Sequence, residues 1–377
     1  MIGPVANCGK KPNARLDVAV VGATGIVGQQ FIVALRNHPW FRIACLAASE
    51  KSAGKTYEDA LRDPSTRALR WFCSEASPDS VLGMTVQDAS TLSVSEVDIV
   101  FTALESDHAK KLEPAYAKLK PVISTASAFR YDSDVPILVP GVNFDHAKLI
   151  HTQRKNRRWN GFVTPIPNCT TTGLVVSLKP IQDDFGIETV TMTSMQASSG
   201  AGRSPGVLAL DVTDNIIPFI PGEEEKVQTE TLKILGSELG GHVRPAEFRV
   251  SCTCTRVDVL EGHTEAVFVS THKPCDPSTA TDSMKRFGEN SRLDLPSAPE
   301  QLLVVNEDPF RPQPRLDRDA HGGMAVTVGR IRLDPARERG VKYLLVSHNT
   351  KLGAARGAVL VAEYLVKSGY VSQQPNP

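Results

Sequence analysis

Cys169 stands in Pro165-Ile166-Pro167-Asn168-Cys169-Thr170-Thr171-Thr172-Gly173-Leu174. Pro-Asn followed by hydroxyl residues opens a helix, which the pattern continues from Leu174 to Ile181. A cysteine in the first turn meets the positive end of the helix dipole, so its thiol is expected to shift down towards the thiolate that attacks a carbonyl. The competing reading is a free cysteine filling core space. Such a nucleophile needs a base. Of the nine histidines, His263 is the best placed, in Arg256-Val257-Asp258-Val259-Leu260-Glu261-Gly262-His263, where a strand ends in a glycine turn. A turn histidine is ordinarily just solvated; catalysis across a cleft is the alternative. Cys252-x-Cys254 with His263 raises a metal reading, but a fourth ligand and Cys-x-x-Cys spacing are both missing, and no metal is expected.

A second chemical signature is Gly22-Ala23-Thr24-Gly25-Ile26-Val27-Gly28, which directly follows the apolar run Leu16 to Val21 and opens a helical pattern. Glycines at this spacing often serve only a tight turn. After a strand and before a helix, they make the site at which helix amides hold a pyrophosphate. About twenty residues on, Glu50 favours the ribose hydroxyls of NAD, whereas Ser49, Lys51 and Ser52 favour the 2′-phosphate of NADP, and NADP is the expectation.

The elements that must position these groups fall into two textures. Phe41–Ala47, Val97–Thr102 and Pro121–Ser124 read as strands, and a helix is expected from about Asp107 to Leu119. Strands and helices alternating in this way predict right-handed βαβ units and a parallel sheet. Past about residue 165, Thr189–Gln196, Phe248–Val259 and Glu265–His272 alternate apolar with polar residues, predicting a mostly antiparallel sheet. Val341–Ser347 reads as a strand, and a helix from Leu352 to Lys367 is expected to pack back on the first domain.

Composition bounds the function. The chain has 377 residues with 42 Lys+Arg against 42 Asp+Glu, so nothing recommends nucleic acid or an anionic membrane as partner. The uncharged stretch Val18–Leu35 is long enough to flag as a span, but its glycines and glutamines read as strand, turn and helix. Residues 1–15 look like a frayed leader rather than a targeting segment. Seven cysteines without a pairing framework suit a reducing compartment, and the cytoplasm is expected. Gly222-Glu223-Glu224-Glu225-Lys226 reads as the start of a solvated helix with Glu223 and Lys226 on one face. Arg311–Arg318 reads as a loop tied down by ion pairs.

Together GATGIVG, PNCTT, SMQASSGAGRSPGV, GEEEK, RVDVLEGH, RPQPRLDR and SHNTKLGAA, in this order between Asp17 and Tyr364, resemble the aspartate-semialdehyde dehydrogenase family, in particular its fungal and archaeal-like branch. The resemblance implies an α/β fold: a Rossmann-type dinucleotide-binding domain, residues 1–165 and 350–377, plus an α+β catalytic and dimerisation domain, residues 166–349. It implies NADPH-dependent reduction of β-aspartyl phosphate, with release of inorganic phosphate, in lysine, threonine and methionine synthesis. It implies a homodimer or homotetramer. Cys169 would then be the nucleophile and His263 the acid/base. Arg256 would bind the substrate carboxylate, Glu223 the ammonium, and Lys226 with Arg130 the phosphate; Gln196 and Asn168 would orient the substrate or its oxyanion. Gly22, Thr24, Gly25, Ile26, Val27, Ser49, Lys51, Ser52, Ser199, Gly200 and Asn349 fall on cofactor positions. Three positions depart from the family pattern: Thr125, Gly141 and Arg356. They motivate the alternative of an impaired cofactor-binding subunit. A related acyl-phosphate or acyl-CoA reductase is the other alternative, since it would share the glycine loop and the Cys/His pair.

Overall fold

The computed structural model describes residues 15–201 and 209–371. The leader assigned to residues 1–15 lies almost wholly outside the described residues, as do Gly202–Val207 of the SMQASSGAGRSPGV run and the last six residues of the expected first domain.

The first sheet contains β1 (Leu16–Val21), β2 (Phe41–Ala48), β3 (Val86–Asp88), β4 (Ile99–Thr102), β5 (Pro121–Ser124) and β6 (Phe162–Pro165), in the order β3-β2-β1-β4-β5-β6. Every pairing is parallel. β1 is apolar on both faces because helices cover both: all but one of its residues are buried. The strand order reverses between β1 and β4, which opens a crevice at the carboxyl ends of the strands. There the glycine loop leads into α1 (Ile26–Leu35). A Cβ on Gly28 would lie 2.1 Å from the carbonyl oxygen of Gly22, so loop and helix approach too closely for any side chain. α2 (Ser106–Ala117) follows β4.

The second sheet has the order β10-β7-β11-β14-β13-β12, where β7 is Ile187–Gln196, β10 Arg249–Arg256, β11 His263–Thr271, β12 Leu303–Asn306, β13 Val326–Leu333 and β14 Gly340–Ser347; β8 (Ser237–Leu239) and β9 (His242–Arg244) form a separate ribbon. The expectation of a mostly antiparallel sheet is corrected to a mixed one. β7, β11, β14 and β13 pair antiparallel, but both edge strands, β10 and β12, run parallel to their neighbours. Alternation reports one covered face; it carries no information on strand direction. The covered face packs Val267, Val269, Val341 and Leu345 against Leu174, Val175 and Leu178 of α3 (Cys169–Phe185) and against Met284 of α5 (Pro277–Asn290). Between them in sequence lies α4 (Glu223–Ile234).

The chain then returns. After a π-helical turn, Lys351–Ala355, α6 (Arg356–Lys367) inserts Ala358, Val359, Val361, Ala362 and Leu365 among Phe31, Ile32 and Leu35 of α1 in the core of the first sheet. That is the return expected from its apolar pattern. Among the described residues no helix is long and apolar enough to cross a membrane.

Candidate active site

Asn168 caps α3: its side-chain oxygen accepts from the amides of Thr170 and Thr171, at 2.9 and 3.3 Å. This leaves Cys169 as the first helical residue. The cap therefore fixes where the sulfur points. Cys169 Sγ lies 3.2 Å from His263 Nε2. Gly353 of the π turn presses on the cysteine from the other side; a Cβ there would sit 2.8 Å from Cys169 Cβ.

His263 is not a solvated turn histidine. It is the first residue of β11, with 0% exposure. The amide of Ala197 donates to its Nδ1 at 3.1 Å. A nitrogen that accepts cannot also carry the proton, so the neutral ring is protonated at Nε2, the atom facing the sulfur. Burial, with the nearby charges of Arg256 and His348, pushes the imidazole down to about 3. The thiol moves opposite to the sequence expectation. Burial, reinforced by Glu223, raises Cys169 to about 12, and this outweighs Arg256, the Thr170 amide and Arg130, which all favour the thiolate. The resting pair is thus a neutral thiol and a neutral imidazole.

Around this pair the structure gathers the other predicted residues. Arg256, at the end of β10, is 5% exposed; its Nη1 donates to the Ala197 carbonyl at 2.7 Å, while its buried Nε has no partner among the described residues. Burial holds its guanidinium below the usual range. Glu223, read from sequence as part of a solvated helix, is 7% exposed. Its Oε1 accepts from Asn168 Nδ2 at 2.8 Å and from Gln196 Nε2 at 3.1 Å, and its Oε2 lies 3.7 Å from the half-buried Lys226. Arg130 is buried and ion-paired with Glu230 at 2.9 Å. Gly200 lies over the pair, its absent Cβ 3.2 Å from both Arg256 Nη1 and His263 Cε1. Asn349 ties this corner together, donating to Ser199 Oγ at 2.8 Å and accepting from the Gly262 amide at 2.9 Å.

The cofactor positions from Gly22 to Ser52 stand apart, at the crevice of the first sheet. Among the described residues no side chain caps α1, and Gly25 is exposed, so the first-turn amides of Ile26 and Val27 are open to an anion. Ser49 and Lys51 are exposed just past β2, with Ser52 half-buried beside them. An uncapped helix start with a hydroxyl- and lysine-bearing loop beside it fits a dinucleotide carrying a 2′-phosphate.

Sequence reasoning missed Glu230 and Lys233. They continue the series Glu223, Lys226, Glu230, Lys233 along one face of α4, at spacings of three and four that mark a single helical stripe. Lys233 donates to the carbonyls of Arg130 and Asp132, both at 2.8 Å, and burial lowers it to about 8. The departures fall outside the pair. Thr125 donates to the Thr102 carbonyl, Gly141 has a φ of +73° that suits glycine, and Arg356 reaches the Gly322 carbonyl at 2.9 Å. The 311–318 loop is held by Arg311 on Asp317 and by Arg318 on the Glu261 carbonyl, as its composition suggests.

A parallel-sheet domain with a glycine loop, joined to a mixed-sheet domain that presents a capped cysteine to a histidine, has the build of a dehydrogenase that works through a cysteine acyl-thioester. The family descriptions agree: residues 17–150 match the semialdehyde dehydrogenase NAD binding domain, and residues 178–352 the semialdehyde dehydrogenase dimerisation domain. The chain is 48% identical over 355 residues to the aspartate-semialdehyde dehydrogenase of Archaeoglobus fulgidus, covering 94% of this chain and 98% of that one. It is 41% identical over 362 residues to the Saccharomyces cerevisiae enzyme of the same name, covering 92% and 96%. The crystal structure of aspartate semialdehyde dehydrogenase with NADP from Candida albicans superposes with a TM-score of 0.84 at 37% identity, covering 95% of this chain and all of that one. The chain belongs to the aspartate-semialdehyde dehydrogenase family.

Proposed function

We propose that the chain interconverts β-aspartyl phosphate and aspartate semialdehyde with NADP(H), in lysine, threonine and methionine biosynthesis, with Cys169 as nucleophile and His263 as acid/base. The observation that carries the assignment of roles is the 3.2 Å contact between Cys169 Sγ and His263 Nε2 at the cap of α3. In the reductive direction sulfur bonds to the acyl carbon, the bond from that carbon to the phosphate oxygen breaks, and the thiol proton leaves on the phosphate. Lys226, on the stripe that also bears Glu223, and Arg130 attract the departing phosphate. Arg256, whose Nε is unpartnered among the described residues, takes the substrate carboxylate, and Glu223 takes the ammonium. Gln196 and the cap residue Asn168 orient the acyl group.

Gly22, Thr24, Gly25, Ile26 and Val27 would hold the pyrophosphate of NADPH, Ser49, Lys51 and Ser52 its 2′-phosphate, and Ser199, Gly200 and Asn349 its reacting end, where the bound cofactor would supply a hydride to the acyl carbon of the thioester. His263 meets the sulfur released from the hemithioacetal with its Nε2–H. To give that proton up, the ring takes at Nδ1, from water, the one proton the reduction consumes; this displaces the Ala197 amide and leaves the ring neutral with its proton on Nδ1. The same reading assigns residues 1–165 with 350–377 to cofactor binding and 166–349 to catalysis and dimerisation, with a homodimer or homotetramer working in the cytoplasm.

The test follows NADPH formation from aspartate semialdehyde, with and without phosphate, for the parent and Cys169→Ala proteins. Phosphate-dependent turnover that falls by roughly 10⁴-fold or more in the variant is expected. A folded parent that binds NADP yet turns nothing over would overturn the reading in favour of a binding subunit.

A further inference from the structure

Glu230 has no place in the chemistry above, yet it is fully buried at the junction of both halves of the site. Its Oε2 accepts from the backbone amide of Asn168 at 2.6 Å, and its Oε1 accepts from Arg130 Nη1 at 2.9 Å. Asn168 is the cap that sets Cys169. It is therefore gripped twice by one helix: by Glu230 through its main chain and by Glu223 through its side chain. The two carboxylates stand seven residues apart on α4, two turns along the same face. Arg130 belongs to the loop after β5, where its Nη2 donates to the Thr125 carbonyl at 3.0 Å and Lys233 holds its own carbonyl. Arg130 is also among the charges that favour the Cys169 thiolate, so the guanidinium lies within electrostatic reach of the sulfur.

We propose that Glu230 is a positioning residue for the reaction: one carboxylate sets the backbone of the nucleophile and the orientation of Arg130, the arginine assigned to the phosphate, at once. The geometry requires the carboxylate, because both of its partners are donors. A glutamine has only one acceptor oxygen, so whichever way its amide turns, an N–H faces either the Asn168 amide or the guanidinium. A purely structural ion pair would affect stability alone. A positioning role links the phosphate site to the reactivity of the thiol. The inference rests on the proposed reaction for its kinetic arm and is independent of it for its labelling arm.

The experiment compares parent, Glu230→Gln and Arg130→Gln/Glu230→Gln proteins. It measures the KM for inorganic phosphate in the oxidative direction, the rate of Cys169 alkylation by iodoacetamide at fixed pH, and NADP binding. Glu230→Gln is expected to raise the phosphate KM and to change the alkylation rate, each by roughly tenfold or more, with NADP binding unchanged. A folded Glu230→Gln protein with both quantities within roughly twofold of the parent overturns the proposal. Should that variant not fold, the double variant, which removes the charged pair together, carries the test: an altered alkylation rate supports the proposal, and a parental rate overturns it. If the parent shows no phosphate-dependent turnover, the reaction assignment fails by itself, while the alkylation rates still decide whether Glu230 sets the cysteine.

Discussion

The crevice at β1 and β4 and the pocket around Cys169, the two proposed binding sites, are built in opposite ways. The crevice uses backbone: uncapped amides at the start of α1 and a loop so close-packed that Gly28 admits no Cβ. All of its groups lie within one βαβ unit. The pocket uses side chains from distant parts of the chain: Cys169 and His263 are 94 residues apart, and Arg130 and Glu230 are 100 apart. Most of its working groups are buried, so each depends on its neighbours for charge and direction. A backbone site tolerates a wide choice of side chains around it. A buried network does not.

A matched pair of substitutions separates the two. Gly353→Ala places a methyl carbon 2.8 Å from Cys169 Cβ, and Gly28→Ala places one 2.1 Å from the Gly22 carbonyl oxygen. Gly353→Ala is expected to lower turnover on the order of 10²-fold by displacing the sulfur, with NADP affinity kept. Gly28→Ala is expected to weaken NADP binding by roughly 10–100-fold while iodoacetamide still labels Cys169 at the parental rate. Loss of both properties in either variant would break the division into two independent sites. Within the crevice, Lys51→Ala sharpens the point: removing an exposed charge from a phosphate is expected to cut the preference for NADP over NAD by roughly tenfold, without changing phosphate-dependent turnover at saturating cofactor. An unchanged preference would leave Ser49 and Ser52 as the discriminating groups.

The same contrast explains what was legible in the sequence. Strands β1 and β5 begin and end where their apolar runs do, and Asn168 caps α3 as the Pro-Asn-Cys-Thr-Thr run implies, because all of these depend on neighbours in sequence. The thiol was misread for the same reason. The helix start is local and visible, whereas the burial that overrides it comes from β11, the π turn and α4. Glu230 lies in no motif, and only the charged stripe from Glu223 to Lys233 could have drawn attention to it. The parallel edges of the second sheet escaped because strand order is set by tertiary packing.

Burial also leaves a mark on stability that the crevice lacks, and its sign is fixed. The native imidazole of His263 titrates at about 3, held down by burial, Arg256 and His348, against about 6.5 in an unfolded chain. Between those values the unfolded state binds a proton that the native state does not, so stability rises with pH and is lost as pH falls through this window. His348, lowered to about 4 by burial and by Lys351, adds to the same slope. Removing one of the two histidines should flatten it. Equilibrium denaturation of Cys169→Ala and of Cys169→Ala/His263→Gln proteins, between pH 6.5 and 5.5, is expected to show a slope smaller by about 1 kcal/mol per pH unit in the double variant. Parallel slopes would mean that His263 is protonated in the native protein across this range, with the Ala197 amide already displaced and the acid form of the ring prepared before substrate arrives.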